Sequence, residues 1–228
     1  MRNITISDQI TEVCPGFHVA AIACEVRNSS HHHGLWQEID AFYNRFASTY
    51  KIEDINQRPA IYATRQVYKQ LGKDPNRYRP SSEALCRRIL KGQPLYRIDT
   101  LVDLINLISL KTGYSIGGFD DAKIQGDLVL GVGEAGEKFE AIGRGLLNIE
   151  GLPVYRDAVG GIGTPTSDEE RTKITAGTTR LLMLVNGYSG GEGLQEAVDL
   201  SVELLKKYAE AREIEIELLN VNGAATPH

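Results

Sequence analysis

Cysteine is scarce in this chain: Cys14, Cys24 and Cys86 are the only three among 228 residues. The count is odd and no Cys-x-x-Cys pair occurs, which excludes a disulfide scaffold and a four-thiolate zinc site as the basis of the fold. Long apolar runs are missing too, and nothing approaches the roughly 20 residues needed to span a bilayer. The opening Met1-Arg-Asn-Ile-Thr-Ile-Ser7 reads as a short strand rather than a basic-apolar leader. These absences make the cytoplasm the expected compartment. Low-complexity linkers and internal repeats are also absent, so residues 1–228 read as a single compact domain with ample material for a core.

Charge of one sign does not dominate. The net charge of −5 excludes a strong, indiscriminate nucleic-acid binder. Its distribution is uneven, however. Between Arg58 and Arg97 ten basic residues (Arg58, Arg65, Lys69, Lys73, Arg77, Arg79, Arg87, Arg88, Lys91, Arg97) face only Asp74 and Glu83, a local surplus of eight. Tyr62, Tyr68, Tyr78 and Tyr96 interleave with them. Positive charge with aromatic faces suits a phosphate backbone carrying unstacked bases. The competing reading is a solvated helical face whose arginines pair with acidic neighbours.

Periodicity supplies the elements. Residues 17–26 form an apolar run of strand length, and Leu35, Ile39, Phe42 and Phe46 repeat at helical spacing. A helix near 60–71 stops at Gly72, and another starts at Ser81 or Ser82 as cap and stops before Gly92. From about 115 to 190 short strands alternate with glycines, the clearest being Asp127–Val132 and Arg180–Val185. A helix around 194–208 and an alternating strand at Ile214–Leu218 follow. The fold class is α/β in the mixed α+β sense: a mixed β-sheet flanked by helices.

Leu101-Val-Asp-Leu-Ile-Asn-Leu-Ile-Ser109 is apolar almost all round, which marks a buried helix. Asp103, Asn106 and Ser109 recur every third residue, so they share one arc of that helix. Buried polar side chains need partners or a wet cavity. Thr100-x-x-Asp103 also has the form of a capping box, a structural use for Asp103. The paired glycines of Ser115-Ile-Gly-Gly-Phe-Asp120 allow close backbone approach by a ligand or strand. Arg156-Asp157 precedes a second glycine turn followed by hydroxyls, including Thr164 and Ser167, the texture of a functional loop or, equally, of a well-capped turn.

Other motifs read as ordinary structure. His31, His32 and His33 are adjacent and cannot all point at one ion, so no metal is expected, nor any cofactor. Cys14 has only His18 nearby, too little for a nucleophile and base. Gly187-Tyr-Ser-Gly-Gly-Glu-Gly193 lacks both phosphate-loop spacings and reads as a strand-to-helix turn.

The 101–109 helix, Gly-Gly-Phe-Asp120, Gly-Asp-Leu-Val129 and the Gly160-Gly161 turn together resemble the B3/B4 domain of the bacterial phenylalanyl-tRNA synthetase β subunit. Arg79-Pro-Ser-Ser-Glu-Ala-Leu and Glu170-Arg-Thr-Lys-Ile-Thr175 are similar to free-standing members of that family. The resemblance runs over roughly 75–220. In the synthetase this domain hydrolyses the ester joining a wrong amino acid to tRNA, so the resemblance implies an editing pocket. Asn106 matches the family's pocket asparagine, whereas the family's histidine falls at Gly117 and its glutamate near Ile162 or Gly163. On this reading Gly117 and Gly118 enlarge the pocket, and Asp103, Asn106, Ser109, Asp120, Arg156, Asp157, Thr164 and Ser167 are its polar candidates. Arg77, Arg79, Arg87, Arg88 and Lys91 are the candidates for contact with tRNA, the expected partner. No aminoacylation domain or ATP signature is evident, so tRNA charging is not expected. Two expectations follow from the resemblance: a stand-alone hydrolase of mischarged aminoacyl-tRNA, or a non-catalytic module binding tRNA or an amino-acid-like ligand. A third, an unrelated small-molecule enzyme, stays open because fold does not dictate function.

Overall fold

Two strands with no polar face occupy the centre of the molecule. In the computed structural model, which describes residues 1–224, β1 (Ile4–Ile6) and α1 (Asp8–Val13) lead into β2 (His18–Glu25). Ala20, Ile22 and Cys24 of β2 point to one side and Val19, Ala21 and Ala23 to the other, and each set enters a different core cluster. A strand covered on both faces reads as a continuous apolar run, which is why 17–26 shows no alternation.

The helices α2 (His33–Thr49), α3 (Pro59–Gln70), α4 (Ser81–Leu90) and α5 (Thr100–Thr112) follow in succession. Then come β3 (Ile116–Asp120), β4 (Leu128–Val132), the small hairpin β5 (Glu140–Ala141) and β6 (Gly145–Leu146), β7 (Pro153–Arg156), β8 (Gly161–Gly163) and β9 (Arg180–Gly187). α6 (Leu194–Ala209), β10 (Arg212–Asn220) and β11 (Gly223–Ala224) complete the described chain. The main sheet is antiparallel in the order β11-β10-β2-β9-β3, and a second runs β1-β4-β7-β8 with β1 parallel to β4. Side chains of α2, α5 and α6 pack on one face of the main sheet, and β1, β4, β7 and β8 contribute to the cluster on the other. The mixed α/β class read from the sequence is the observed one, built as helices, sheet and sheet.

Several local expectations shift by a residue or two for identifiable reasons. α2 starts earlier than Leu35: His32 is its N-cap, and its Nδ1 lies 3.3 Å from the Leu35 N–H that it accepts. The middle histidine of the polar triplet is therefore a helix cap. Pro80, not Ser81 or Ser82, occupies the N-cap of α4, and the Ser82 hydroxyl is spent on Ser115, 3.1 Å away. Asp99 rather than Thr100 caps α5, accepting from Val102 N at 2.9 Å. Gly131-Val-Gly-Glu-Ala-Gly136 meets the spacing of a dinucleotide fingerprint, but it leaves β4 for a hairpin and no helix follows to receive a phosphate.

Candidate ligand-binding site

α5 is buried on most of its circumference, and its polar stripe divides in two. Asp103 is 2% exposed. Its carboxylate accepts from Trp36 Nε1 at 2.7 Å and from Ile98 N at 3.0 Å, so the fold consumes it. Asn106 and Ser109, further along, open onto a cavity of about 210 Å³. No side-chain hydrogen bond of Asn106, Ser109 or Ser81 occurs among the described residues, so all three keep their polar groups available to a ligand.

Five other segments close the cavity: Ser81 at the start of α4, Ile116 and Gly118 of β3, Ile142 of the β5–β6 hairpin, the Thr164–Asp168 loop, and Ile174. Gly118 keeps the wall open: a Cβ there would lie 2.5 Å from Ile105 Cδ1 and 3.2 Å from Ile174 Cδ1 and would push those methyl groups aside. Gly117 points the opposite way. A Cβ on it would meet the Phe119 ring at 2.7 Å, so it makes room for that ring instead of widening the cavity. Neighbouring strand residues face opposite sides of a sheet, and only one of two adjacent glycines can line a given pocket. The loop is internally tied: Thr164 Oγ1 accepts from Thr166 N and Ser167 N and donates to Ser167 O. The backbone N–H of Ile142 reaches Asp168 O at 3.1 Å, fastening the hairpin over the site.

Asp168 is the residue that sequence reading missed. Its half-buried carboxyl lines the cavity and has one hydrogen bond among the described residues, from Gly118 N at 3.3 Å. Burial pushes its pKa up, opposed only by that N–H, to about 7. A Cβ at Gly163 would approach its Oδ1 to 2.7 Å, so the glycine run of β8 makes space for the carboxyl. In the sequence Asp168 is one acid within Ser-Asp-Glu-Glu-Arg, and only the bridge from β3 across to this loop singles it out.

A second depression of about 380 Å³ adjoins the cavity and shares Ser81 and Asn106 with it. Arg79, Arg87, Arg88, Lys91 and Arg144 line it, together with Tyr96. Arg87 and Arg88 are neighbours in the last turn of α4 and Lys91 follows at its C-cap, and the β5–β6 hairpin adds Arg144, which sequence spacing gave no reason to include. Glu83, fully buried, organises the group: it accepts from Arg65 Nη1 at 2.9 Å and Arg87 Nε at 2.7 Å and stands 3.5 Å from Arg79 Nε. Arg88 lies over the Tyr96 ring, 3.9 Å from its centroid.

The rest of the basic segment serves the fold. Arg58 donates to Leu110 O and Lys111 O at the C-terminal end of α5, both at 2.9 Å. Lys73 is buried and donates to Asn148 O and Glu150 O. Arg97 covers Trp36, and Arg77 stands exposed beside Tyr78, outside the depression. The surplus of eight charges is therefore not one surface.

Of the pocket candidates, Asn106, Ser109, Gly118, Thr164 and Ser167 come together; Asp103, Gly117, Asp120, Arg156 and Asp157 do not line the cavity. Asp120 accepts from Thr178 Oγ1 and Ala122 N, holding the turn after β3. Arg156 pairs with Glu137 at 2.6 Å. Asp157 is buried, which would raise its pKa, but Arg171 and the N–H groups of Gln125, Val159 and Gly160 outweigh burial and bring it to about 2. It is the anchor of a turn. A larger cleft of about 560 Å³ lies between α3, α5 and α6, but its Lys111 is already held by Glu38 at 2.5 Å and its Tyr114 hydroxyl by Glu192 O. No group of three or more metal-ligating side chains occurs among the described residues, and none of their helices is long and apolar enough to cross a membrane.

A family model described as the B3/4 domain matches residues 63–216. Among solved structures, the chain is similar to an N-terminal fragment of the phenylalanyl-tRNA synthetase β-subunit from Pyrococcus horikoshii. Identity is 15% and the TM-score 0.48, and the match covers 94% of this chain but 50% of that one, so the chain spans half the length of the fragment. A search of curated proteins finds no match.

Proposed function

Because this chain belongs to the B3/4 domain family, we propose that it binds the aminoacylated 3′ end of tRNA and hydrolyses the ester of mischarged species as a stand-alone factor. The observation that carries the reading is the sharing of Ser81 and Asn106 between a small, mostly neutral cavity and an arginine-lined depression. An aminoacyl-nucleotide has the same division, with a compact amino-acid end and a polyanionic end joined at the ester. The depression takes phosphates through charge-assisted contacts and offers Tyr96 to an unstacked base.

The ester then lies at the junction, beside the unpaired Asn106 amide. Its N–H donates to the carbonyl oxygen as negative charge develops there. Water adds to the carbonyl carbon, the bond from that carbon to the ribose oxygen breaks, and the ribose oxygen takes up the proton that the water loses. No imidazole lines the cavity, so the neighbouring ribose hydroxyl is the group positioned to relay the proton.

The test is deacylation of a panel of mischarged tRNAs by the wild-type protein and by Asn106→Ala. Hydrolysis of one pairing, reduced at least tenfold in the variant, supports the reading. Tight binding without turnover across the panel would leave a non-catalytic binding module, and neither binding nor turnover would remove tRNA altogether.

A further inference from the structure

The cavity holds one ionisable side chain. Ser81, Asn106, Ser109, Thr164, Thr166 and Ser167 are neutral, the other lining side chains are apolar, and only Asp168 can carry charge. The two cations nearest in sequence are committed elsewhere, Arg171 to Asp157 and Lys173 to Glu170, and Lys123 is held by Asp120 and the Lys173 carbonyl. Arg79, Arg87, Arg88 and Arg144 line the adjoining depression, not the cavity, and Glu83 engages Arg79 and Arg87 there. A carboxyl facing a cavity with no counter-ion is a costly arrangement, since a buried charge needs pairing.

From this geometry we infer that Asp168 anchors a primary ammonium group of the ligand, so the cavity admits an amino-acid moiety with a free α-amine and refuses the N-acylated form. The inference rests on the aminoacyl-RNA reading for the ligand's identity, but the amine contact stands or falls on its own. Asp168 Oδ2 has only the Gly118 N–H among the described residues and Oδ1, which lies against Gly163, has no hydrogen-bond partner, so most of the carboxyl's acceptor capacity is unused. A volume of about 210 Å³ is below the roughly 300–1,000 Å³ of drug-sized sites, in keeping with an amino-acid-sized fragment. The charges are then complementary end to end: carboxylate to ammonium inside the cavity, arginines to phosphate outside it. N-acylation would remove the cation and leave Asp168 unpaired, the kind of mismatch that discriminates strongly in a polar site.

The test needs no RNA. Alaninamide, leucinamide and phenylalaninamide, each beside its N-acetyl derivative, are titrated into the full chain and followed by calorimetry. At least one free amide is expected to bind, with its N-acetyl partner at least tenfold weaker and Asp168→Asn at least tenfold weaker for the free form. Affinity is expected to peak between the Asp168 pKa of about 7 and the α-amine's, near 8. Equal binding of the acetylated form, unchanged affinity in Asp168→Asn, or no binding of any free amide at millimolar concentration overturns the inference. The acetylation comparison is made on wild-type protein, so it does not depend on the variant folding. Asp168-dependent amide binding without any action on tRNA would keep the anchor and remove the aminoacyl-RNA reading. Deacylation that ignores N-acetylation would keep that reading and remove the anchor.

Discussion

Arg87 Nε donates to Glu83 Oε1 across 2.7 Å, one turn along α4, and Glu83 is buried without any exposed surface. Arg65 reaches the other carboxylate oxygen at 2.9 Å, so this acid anchors α4 to α3 while it aims Arg87 into the basic depression. Glu83→Ala strips a buried partner from two guanidinium groups. A destabilisation of about 3–5 kcal/mol is expected, the usual cost of breaking a buried pair by deleting one side, and urea unfolding measures it. A loss below 1 kcal/mol would show that the pair is solvated.

Asp103 and Asn106 differ on one helix: the first is bonded within the fold, and the second lines the cavity. Asp103→Ala leaves Trp36 Nε1 and Ile98 N without their acceptor, so a loss of about 1–3 kcal/mol in stability is expected. In the fraction that stays folded, deacylation should be close to wild type. Asn106→Ala should behave in the opposite way, within about 0.5 kcal/mol of wild-type stability but impaired in turnover. Identical defects in the two variants would mean that the stripe acts only through folding.

The raised pKa of Asp168 makes stability depend on pH with a definite sign. Burial lifts it to about 7, whereas an unfolded Asp titrates near 3.9. Between those values the folded protein binds the extra proton, so this group's contribution falls as pH rises from about 4 to 7 and is at its lowest above 7. Asp168→Asn, which cannot ionise, should therefore gain on wild type by roughly 2–4 kcal/mol between pH 5 and pH 8 in paired denaturation curves. A pH-independent difference would place the carboxyl in water. A saturating free-amine ligand should shrink the gap, because it pairs the charge.

The arginine depression predicts a salt signature. Each phosphate contact on a single strand contributes about 0.7 to the slope of log affinity against log salt. Arg88→Ala with Lys91→Ala removes two contacts at the depression, and the slope for tRNA should fall by roughly 1.4 in a filter-binding titration. Arg77→Ala, whose side chain stands outside, should change it much less. If Arg77 mattered as much as Arg88 and Lys91, the contact surface would run along the outside of the molecule.

Local pattern was enough for the main elements. The apolar run at 17–26, the Leu35–Phe46 spacing and the almost fully apolar 101–109 segment specify a doubly covered strand, an amphipathic helix and a buried helix, because each depends on side chains close in sequence. The polar stripe also marked α5, which lines the cavity, and the arginines of α4, which line the depression beside it. Which member of the stripe was free could not be read there. Asp103 is consumed by Trp36, 67 residues away, and Asp168 acquires its meaning only where β3 and β8 bring Gly118 and Gly163 against it. The same holds for the charges: Arg58, Arg65, Lys73 and Arg97 look like Arg87 and Arg88 in sequence, yet partners from distant segments absorb most of them. Helix and strand patterns are written by neighbours, whereas the availability of a polar group is decided by whichever remote donor or acceptor the tertiary fold delivers to it.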